Sequence, residues 1–318
     1  MEVRPYRNSD PPRLAEVWRS QPSQRGLVQP MSTSLIERHV LSKPYFDRRG
    51  LLLAVDEGET LGFVHAGFGP DATRSRLDSA RGVVSMLMAR AADTTSPAAA
   101  ELLARGEHYL NSAGAQEVHA QGIDGSNPFY LGLYGGSHSW GVLASDARLL
   151  EFYSQHGYRE GGRTAVLQTE LARFRCMVDR KQMALRRRTN VRAVIDPPST
   201  DWWECCTLGQ FTVTRFELES RDRAGPIATA TFWDMESFST AWGVRAAGLV
   251  DVKVIEAERR QGAATYLLAE AFRQLHQQAV ALVEMQIPQT NLVALGLARK
   301  CGGHQVDEAI SYSKRCPK

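Results

Sequence analysis

The strongest chemical signal in the chain lies between Val252 and Leu268, VKVIEAERRQGAATYLL. An apolar strand ends, a turn carries Arg259, Arg260, Gln261 and Gly262, and a long helix begins at once. Such a turn leaves several backbone N–H groups unpaired at the positive end of a helix dipole, which suits a phosphate or pyrophosphate. Gly262 permits close backbone approach, Ala263 and Ala264 leave room above the helix start, and Arg259 and Arg260 add charge. Acid–base candidates sit on neighbouring strands. Period-two alternation sets Asp251 and Lys253 on the face opposite Val250, Val252 and Val254. Asp251 reads as a base or as the ion-pair partner of Lys253, and Glu284 as a base or as a polar residue at a cleft rim. Asp234 and Glu236, after the third strand of this half, read as an alternative pair lining the substrate side. No Gly-x-Ser-x-Gly elbow is present, and the eight histidines form no spaced cluster, so no metal is expected.

The elements that must position these residues come in two rounds. In the first, Met1–Arg7 reads as a strand and Pro11–Arg19 as a helix. Leu51–Val55 and Leu61–Phe68 form a hairpin about Asp56-Glu57-Gly58-Glu59. Gly82–Met88 is a buried strand, Pro97 opens a helix, Glu117–Gln121 is a strand, Asp146–His156 a helix stopped by Gly157, and Thr164–Leu171 a closing strand. In the second round, strands at Val191–Ile195, Phe211–Glu219, Ile227–Trp233 and Ala246–Ile255 precede the helix Gln261–Gln278. The strand Leu282–Ile287, the helix Asn291–Cys301 and the strand Gln305–Lys314 follow. This is a repeat on the scale of a whole domain. Between the rounds, Phe174–Thr189 carries Arg175, Arg180, Lys181, Arg186, Arg187 and Arg188 and reads as a solvated, partly helical linker or as a phosphate-attracting or subunit-facing patch.

The turn and its setting resemble the GNAT superfamily of N-acetyltransferases, whose pyrophosphate loop reads Arg/Gln-x-x-Gly-x-Gly/Ala. Arg259-Arg-Gln-Gly262-Ala-Ala264 fits it, Asn291 matches the family's Asn after the fifth strand, and Gly302 the Gly ending the next helix. The resemblance implies an α/β (α+β) fold of two tandem GNAT-like domains, each a mixed, mostly antiparallel sheet flanked by helices. The boundaries expected are 1–175 for a degenerate copy, 176–189 for a basic linker and 190–318 for the copy with the acetyl-CoA loop. It further implies acetyl-CoA as cosubstrate, with its pyrophosphate on Arg259, Arg260, Gln261, Gly262, Ala263, Ala264 and Thr265. The pantetheine arm would pair with the backbone of Val252 and Val254, near Asn291, and the Val254 N–H would serve as oxyanion donor. The expected reaction is direct attack of an amine of a small molecule or peptide on the thioester. A non-catalytic acyl-CoA-binding or regulatory protein is the alternative.

The two copies have complementary defects. In the first, Tyr153 stands four residues before Gly157, where many members carry the tyrosine that protonates the departing thiolate. Its loop fails: Thr94 takes the Arg/Gln position, and Pro97, at the Gly position, lacks the N–H a phosphate needs. In the second copy, Ala298 occupies the tyrosine position and Gly303 replaces the usual aromatic. Tyr153 reads either as that acid serving the other copy or as a packed side chain. The first copy also spends 60 residues from Pro97 to Gly157, against 40 from Gly262 to Gly302. The surplus, mainly Gly122–Ser145, holds Phe129, Tyr130, Tyr134 and Trp140, and reads as a cap on its own core or as a stacking surface.

The 318 residues suit two globular domains. With 38 Lys and Arg against 35 Asp and Glu, the net charge of +3 argues against a nucleic-acid coat. No apolar run reaches the ~20 residues of a spanning helix. Five cysteines without a CxxC pair fit a reducing cytoplasm, and Cys205-Cys206 beside Trp202-Trp203 reads as core packing. A homodimer is an arrangement the sequence leaves open.

Overall fold

Turn residues separate the apolar runs into elements that the computed structural model describes for residues 1–90, 96–175 and 180–316. The first round is β1 (Glu2–Pro5), α1 (Pro11–Arg19), α2 (Thr33–Ile36) with a π-turn, β2 (Leu51–Asp56), β3 (Glu59–Pro70), β4 (Leu77–Ala89), α3 (Pro97–Ser112), β5 (Glu117–Ala120), β6 (Val142–Leu143), α4 (Ala147–Gln155) and β7 (Arg159–Glu170). The second is α5 (Arg180–Arg188), β8 (Thr189–Ile195), α6 (Trp202–Leu208), β9 (Val213–Ser220), β10 (Pro226–Asp234), α7 (Glu236–Trp242), β11 (Ala246–Val254), α8 (Ala263–Gln277), β12 (Leu282–Pro288), α9 (Leu292–Lys300) and β13 (His304–Arg315). The short helices α2, α6 and α7 were not expected, because none is long enough to show an apolar period. Thr94, Cys176 and the first residues of the expected linker lie outside the described residues.

Two compact units emerge, and they do not follow the linear halves. One comprises Met1–Arg163, Thr200–Thr207 and Glu308–Lys318; the other comprises Thr164–Ser199 and Leu208–Asp307. The first unit orders its sheet β1-β2-β3-β4-β5-β13, so the chain's last strand completes the sheet of the first round. Ser313, Lys314 and Arg315 pair antiparallel with His119, Val118 and Glu117. The second unit orders β7-β12-β11-β10-β9-β8, and Thr164–Glu170 pairs antiparallel with all of β12. The compact units differ from the expected 1–175 and 190–318 by one strand in each direction and by Thr200–Thr207, which carries most of α6 and joins the first unit, while α5 of the expected linker joins the second. Within each sheet one pair is parallel, β4 with β5 and β11 with β12, and the pairs through the remaining strands are antiparallel.

Each unit has its own core. In the first, α3 buries Leu102, Leu103 and Leu110 against Val64, Ala66 and Val84. In the second, α8 buries Leu267, Leu268, Ala271 and Phe272 against Phe216, Ala230 and Phe232. Burying side chains of this size stabilises by roughly 1.5–3 kcal/mol each. The segment Gly122–Ser145 caps the first core. Phe129, Tyr130 and Tyr134 are each 2% exposed, and the Asn127 amide donates to Ser85 O (2.7 Å) and Gln121 O (2.8 Å) while accepting from Phe129 N and Tyr130 N. Trp203 of α6 is buried and stacked on Tyr45 at 5.2 Å. Its neighbours correct an expectation: Cys205 is exposed and Cys206 only half-buried, so the tryptophan, not the cysteine pair, does the packing.

Candidate functional site

The parallel pairing of β11 with β12 lasts only from Ala246–Gly248 against Leu282–Glu284. Beyond that point β12 stays on β7 and β11 stays on β10, so the two strands part. A register shift between Thr231 and Phe232 sends Asp251 opposite the first and Leu249 opposite the second. Val250 is the extra residue, a bulge that bends β11 away. The result is a V with Gly248 and Glu284 at its root, and with the backbone edge of β11 from Leu249 to Val254 facing into it. Val252 and Val254, both half-buried, lie on this edge.

The tip of β11 leads into the anion turn. Arg260 and Gly262 have φ of 61° and 91°, left-handed values that coil the backbone tightly ahead of α8. Gly262 is the N-cap and supplies no side-chain cap; the first helical bond runs from Tyr266 N to Gly262 O. The N–H groups of Ala263, Ala264 and Thr265 thus precede the helix's own hydrogen bonding and sit at the positive end of its dipole. Arg259 donates Nε to Val254 O (3.2 Å), Gln261 donates to Ala257 O (2.8 Å), and Arg260 is exposed. Helix α5 closes one side of the turn. Leu185 is buried, Arg188 grips Glu258 through two hydrogen bonds (2.7 and 3.3 Å), and the Lys181 Cβ lies 3.9 Å from where a Gly262 side chain would begin. Sequence reading missed this docking, although the spacing Lys181, Leu185, Arg188 is a helical face.

The second unit's sheet has an apolar face on α8 and a polar face opposite. Val283, Met285 and Ile287 join the core, which turns Glu284 and Gln286 to the other side. Glu284 is 0% exposed and accepts from Gln168 Nε2 at 3.0 Å. The expected rim position is therefore corrected: this carboxylate sits at the closed root of the V. On the same face, Asp251 bridges Lys253 at 2.6 Å, while its buried Oδ1 has no partner among the described residues. Buried Glu217, bridged by Arg192 (2.6 Å) and Arg215 (3.0 Å), extends this polar surface and was not anticipated. Asp234 pairs with Arg245 (3.0 Å), which ties it into an ion pair. Asn291 caps α9 by accepting from Ala294 N (3.0 Å), with Leu292 and Val293 76% and 85% exposed beside it.

Solved structures resemble the chain along its whole length. A fungal GCN5-related glucosamine N-acetyltransferase region of a multi-domain GH3 β-N-acetylglucosaminidase matches 98% of it at 16% identity and a TM-score of 0.72; the chain spans 38% of that protein. A tandem GNAT protein from the clavulanic acid biosynthesis pathway matches 100% of this chain and 99% of its own, at 11% identity and a TM-score of 0.69. A GCN5-related N-acetyltransferase from Sphaerobacter thermophilus matches 99% and 95%, at 16% identity and a TM-score of 0.64. The fold is the tandem GNAT fold. No protein-family model matches the chain, and no curated protein matches its sequence. Among the described residues no helix is long and apolar enough to cross a membrane, and no three His, Cys, Asp or Glu side chains group as a metal site.

The first copy of this fold treats its own helix start differently. Ser96 caps α3 by accepting from Ala99 N (3.3 Å), and Pro97 occupies the first turn. A side chain thus takes up the donor that a phosphate would need. Tyr153 is 0% exposed, packed edge-on against Tyr158 at 4.9 Å. Burial pushes its hydroxyl's titration well up. Gln121 lies near enough to influence it, but neither group completes a hydrogen bond. The tyrosine is a core residue of the first unit.

Proposed function

We propose that the chain transfers an acetyl or short acyl group from acetyl-CoA to an amine, and that the second unit does so. The observation that carries this reading is the uncapped start of α8 at the mouth of the V. There, free N–H groups, Gly262 and two alanines meet the exposed edge of β11. A pyrophosphate on Ala263–Thr265 would set an extended pantetheine arm along Val252 and Val254, adding a strand to β11. That arm would run past Asn291 and the apolar Leu292 and Val293, and the thioester would lie toward the root of the V. The amine nitrogen attacks the carbonyl carbon, the C–S bond breaks, and the sulfur leaves as thiolate. The donor to the carbonyl oxygen as it gains charge is an inward-facing N–H of the β11 edge nearer the root than Val254, the donor expected from sequence, which stands beside the anion turn at the pyrophosphate end of the arm. The amine's proton goes to a carboxylate of the polar face, Glu284 or Asp251. An amine acceptor also fits the fungal neighbour, whose acceptor is glucosamine.

The absence of a tyrosine at Ala298 favours a second reading, a non-catalytic acyl-CoA-binding protein. One experiment separates the two. Release of free thiol from acetyl-CoA is followed across a panel of small-molecule and peptide amines. Turnover above hydrolysis with any amine supports the enzyme, and tight CoA binding with no turnover supports the alternative. Loss of CoA binding in Arg259→Glu, with no loss on substitution of Pro97, would support the division of labour between the copies.

A further inference from the structure

We infer that the first unit binds a small organic ammonium cation with an apolar arm, in an aromatic cavity at the C-terminal end of α3. β2 begins at Leu51, opposite His65, whereas β3 runs on to Pro70. Beside Ala66, Gly67 and Phe68, where β3 outruns β2, a cavity of about 470 Å³ opens, inside the range of ligand sites. The 16 residues of α3 put it about 24 Å from the Ser96 cap, at the end of the helix away from the expected phosphate position. Tyr45, Phe68, Tyr109 and Phe129 wall it, brought in by the loop before β2, by β3, by α3 and by the Gly122–Ser145 cap. They form two ring pairs, Tyr45 with Phe129 at 5.4 Å and Phe68 with Tyr109 at 6.3 Å, and in each pair the tyrosine is only half-buried.

Three features of the lining favour positive charge. The Asp47 carboxylate stands in it and is oriented by the Tyr109 hydroxyl, which donates to Oδ2 at 3.0 Å. Helix α3 ends there at Ser112 and Ala113 with no basic residue in its last turn, so the negative end of its dipole is left for a ligand to neutralise. The ring faces attract a cation as well. Asp47 now pairs with Arg49 (2.8 Å), two residues along, whose side chain is 78% exposed. An ion pair so exposed holds weakly, and an ammonium that sheds its water against the rings displaces it. The four rings take the apolar arm. An anion is the wrong class, because it would meet both the carboxylate and the helix end.

The test uses the full-length protein, free of acetyl-CoA, with ¹³C-methyl leucine and alanine, its Leu77 and Ala113 signals assigned by substitution. 2-Phenylethylamine, a cation at neutral pH, is titrated beside 2-phenylethanol, which keeps the shape but lacks the charge. Saturable displacement of the Leu77 and Ala113 signals is expected, with the alcohol weaker by about fivefold or more. In Asp47→Asn this preference for the amine disappears, and in Arg49→Ala, which removes the competing guanidinium, the amine binds more tightly. No saturable shift, equal binding of amine and alcohol, a preference surviving in Asp47→Asn, or weaker amine binding in Arg49→Ala would overturn the inference. If the variants do not fold, the comparison of the two ligands on the natural protein decides alone. Competition between CoA and the amine for the same two signals would overturn the placing of the site.

Discussion

Gly262→Ala tests the anion turn with the smallest available change. Gly262 sits at φ 91° and ψ 0°. A side chain in the left-handed region costs roughly 1–2 kcal/mol. Alanine also restricts the unfolded chain relative to glycine, which returns about 0.4–1 kcal/mol. No steric term adds to this, because the new Cβ would meet Leu185 and Lys181 at an ordinary 3.9 Å. The net loss is about 0–1.6 kcal/mol, or a fall in melting temperature of up to about 6 °C by calorimetry. If the altered turn relaxes in the free protein, CoA must restore it on binding. Affinity measured by isothermal titration then falls by up to that left-handed strain of about 1–2 kcal/mol, about 5- to 30-fold, since the unfolded chain takes no part in binding. A lower melting temperature with unchanged CoA affinity would refute the assignment of this turn to the phosphates. A hundredfold loss would refute the strain argument, since only a clash with ligand is that large.

Gly296→Ala is the matched control, lying inside α9 with nothing within 4 Å of the new Cβ, and it should stabilise by about 0.5–1 kcal/mol with CoA affinity unchanged. Glu284→Gln should lower kcat by about 10²–10⁴ while leaving the KM for acetyl-CoA in place; an unchanged kcat would reduce Glu284 to a structural partner of Gln168. Lys181→Glu should weaken CoA binding several-fold at low salt, with the difference fading as salt rises, because the exposed ammonium stem borders Gly262. Burial pushes His39 down to about 4 and His65 to about 3. Below their ordinary range the unfolded chain takes up protons that the folded chain refuses. Stability is therefore whole above about pH 6.5 and falls toward pH 4, by about 2 kcal/mol per histidine at pH 5. Denaturant melts of His39→Gln across that window should show a shallower fall.

The order of strands and long helices was legible because each has a period or a turn signal of its own. Leu267, Leu268, Ala271 and Phe272 recur on one face of α8, and Asp56-Glu57-Gly58-Glu59 marks the hairpin. The anion turn was legible for a similar reason: its chemistry lies in consecutive residues, so spacing alone assembles it. What sequence could not show is what depends on pairing between distant segments. Nothing in Gln305–Lys314 says which strand it joins, since alternation fixes a strand's faces but not its partner. The burial of Glu284 was hidden in the same way, because it follows from Gln168 on β7 and from the bulge at Val250. Helix α5 was half legible. Its charge suggested solvent, but Leu185, amid four arginines and a lysine, is the anchor that turns the helix onto α8.

The two copies can be compared position by position, and the comparison explains their divergence physically. Both cap the helix after the fifth strand in one manner, Asp146 from Leu149 N and Asn291 from Ala294 N. Both break a parallel pair after a few residues and open a cleft. They part company at the preceding helix start, where Ser96 closes what Gly262 leaves open, and at the tyrosine position, where Tyr153 fills a core that Ala298 leaves small. A helix start whose N–H is taken by its own side chain offers a phosphate fewer donors than the start of α8. The two copies also exchange strands. Thr164–Glu170 lies in the same stretch of chain as the first copy yet pairs with β12, the strand that carries Glu284. Ser313–Arg315 pairs with β5 in return, and Ala309 and Ile310 with β6. Deleting either half of the chain therefore strips a strand from the remaining unit, and neither half by itself contains a complete sheet.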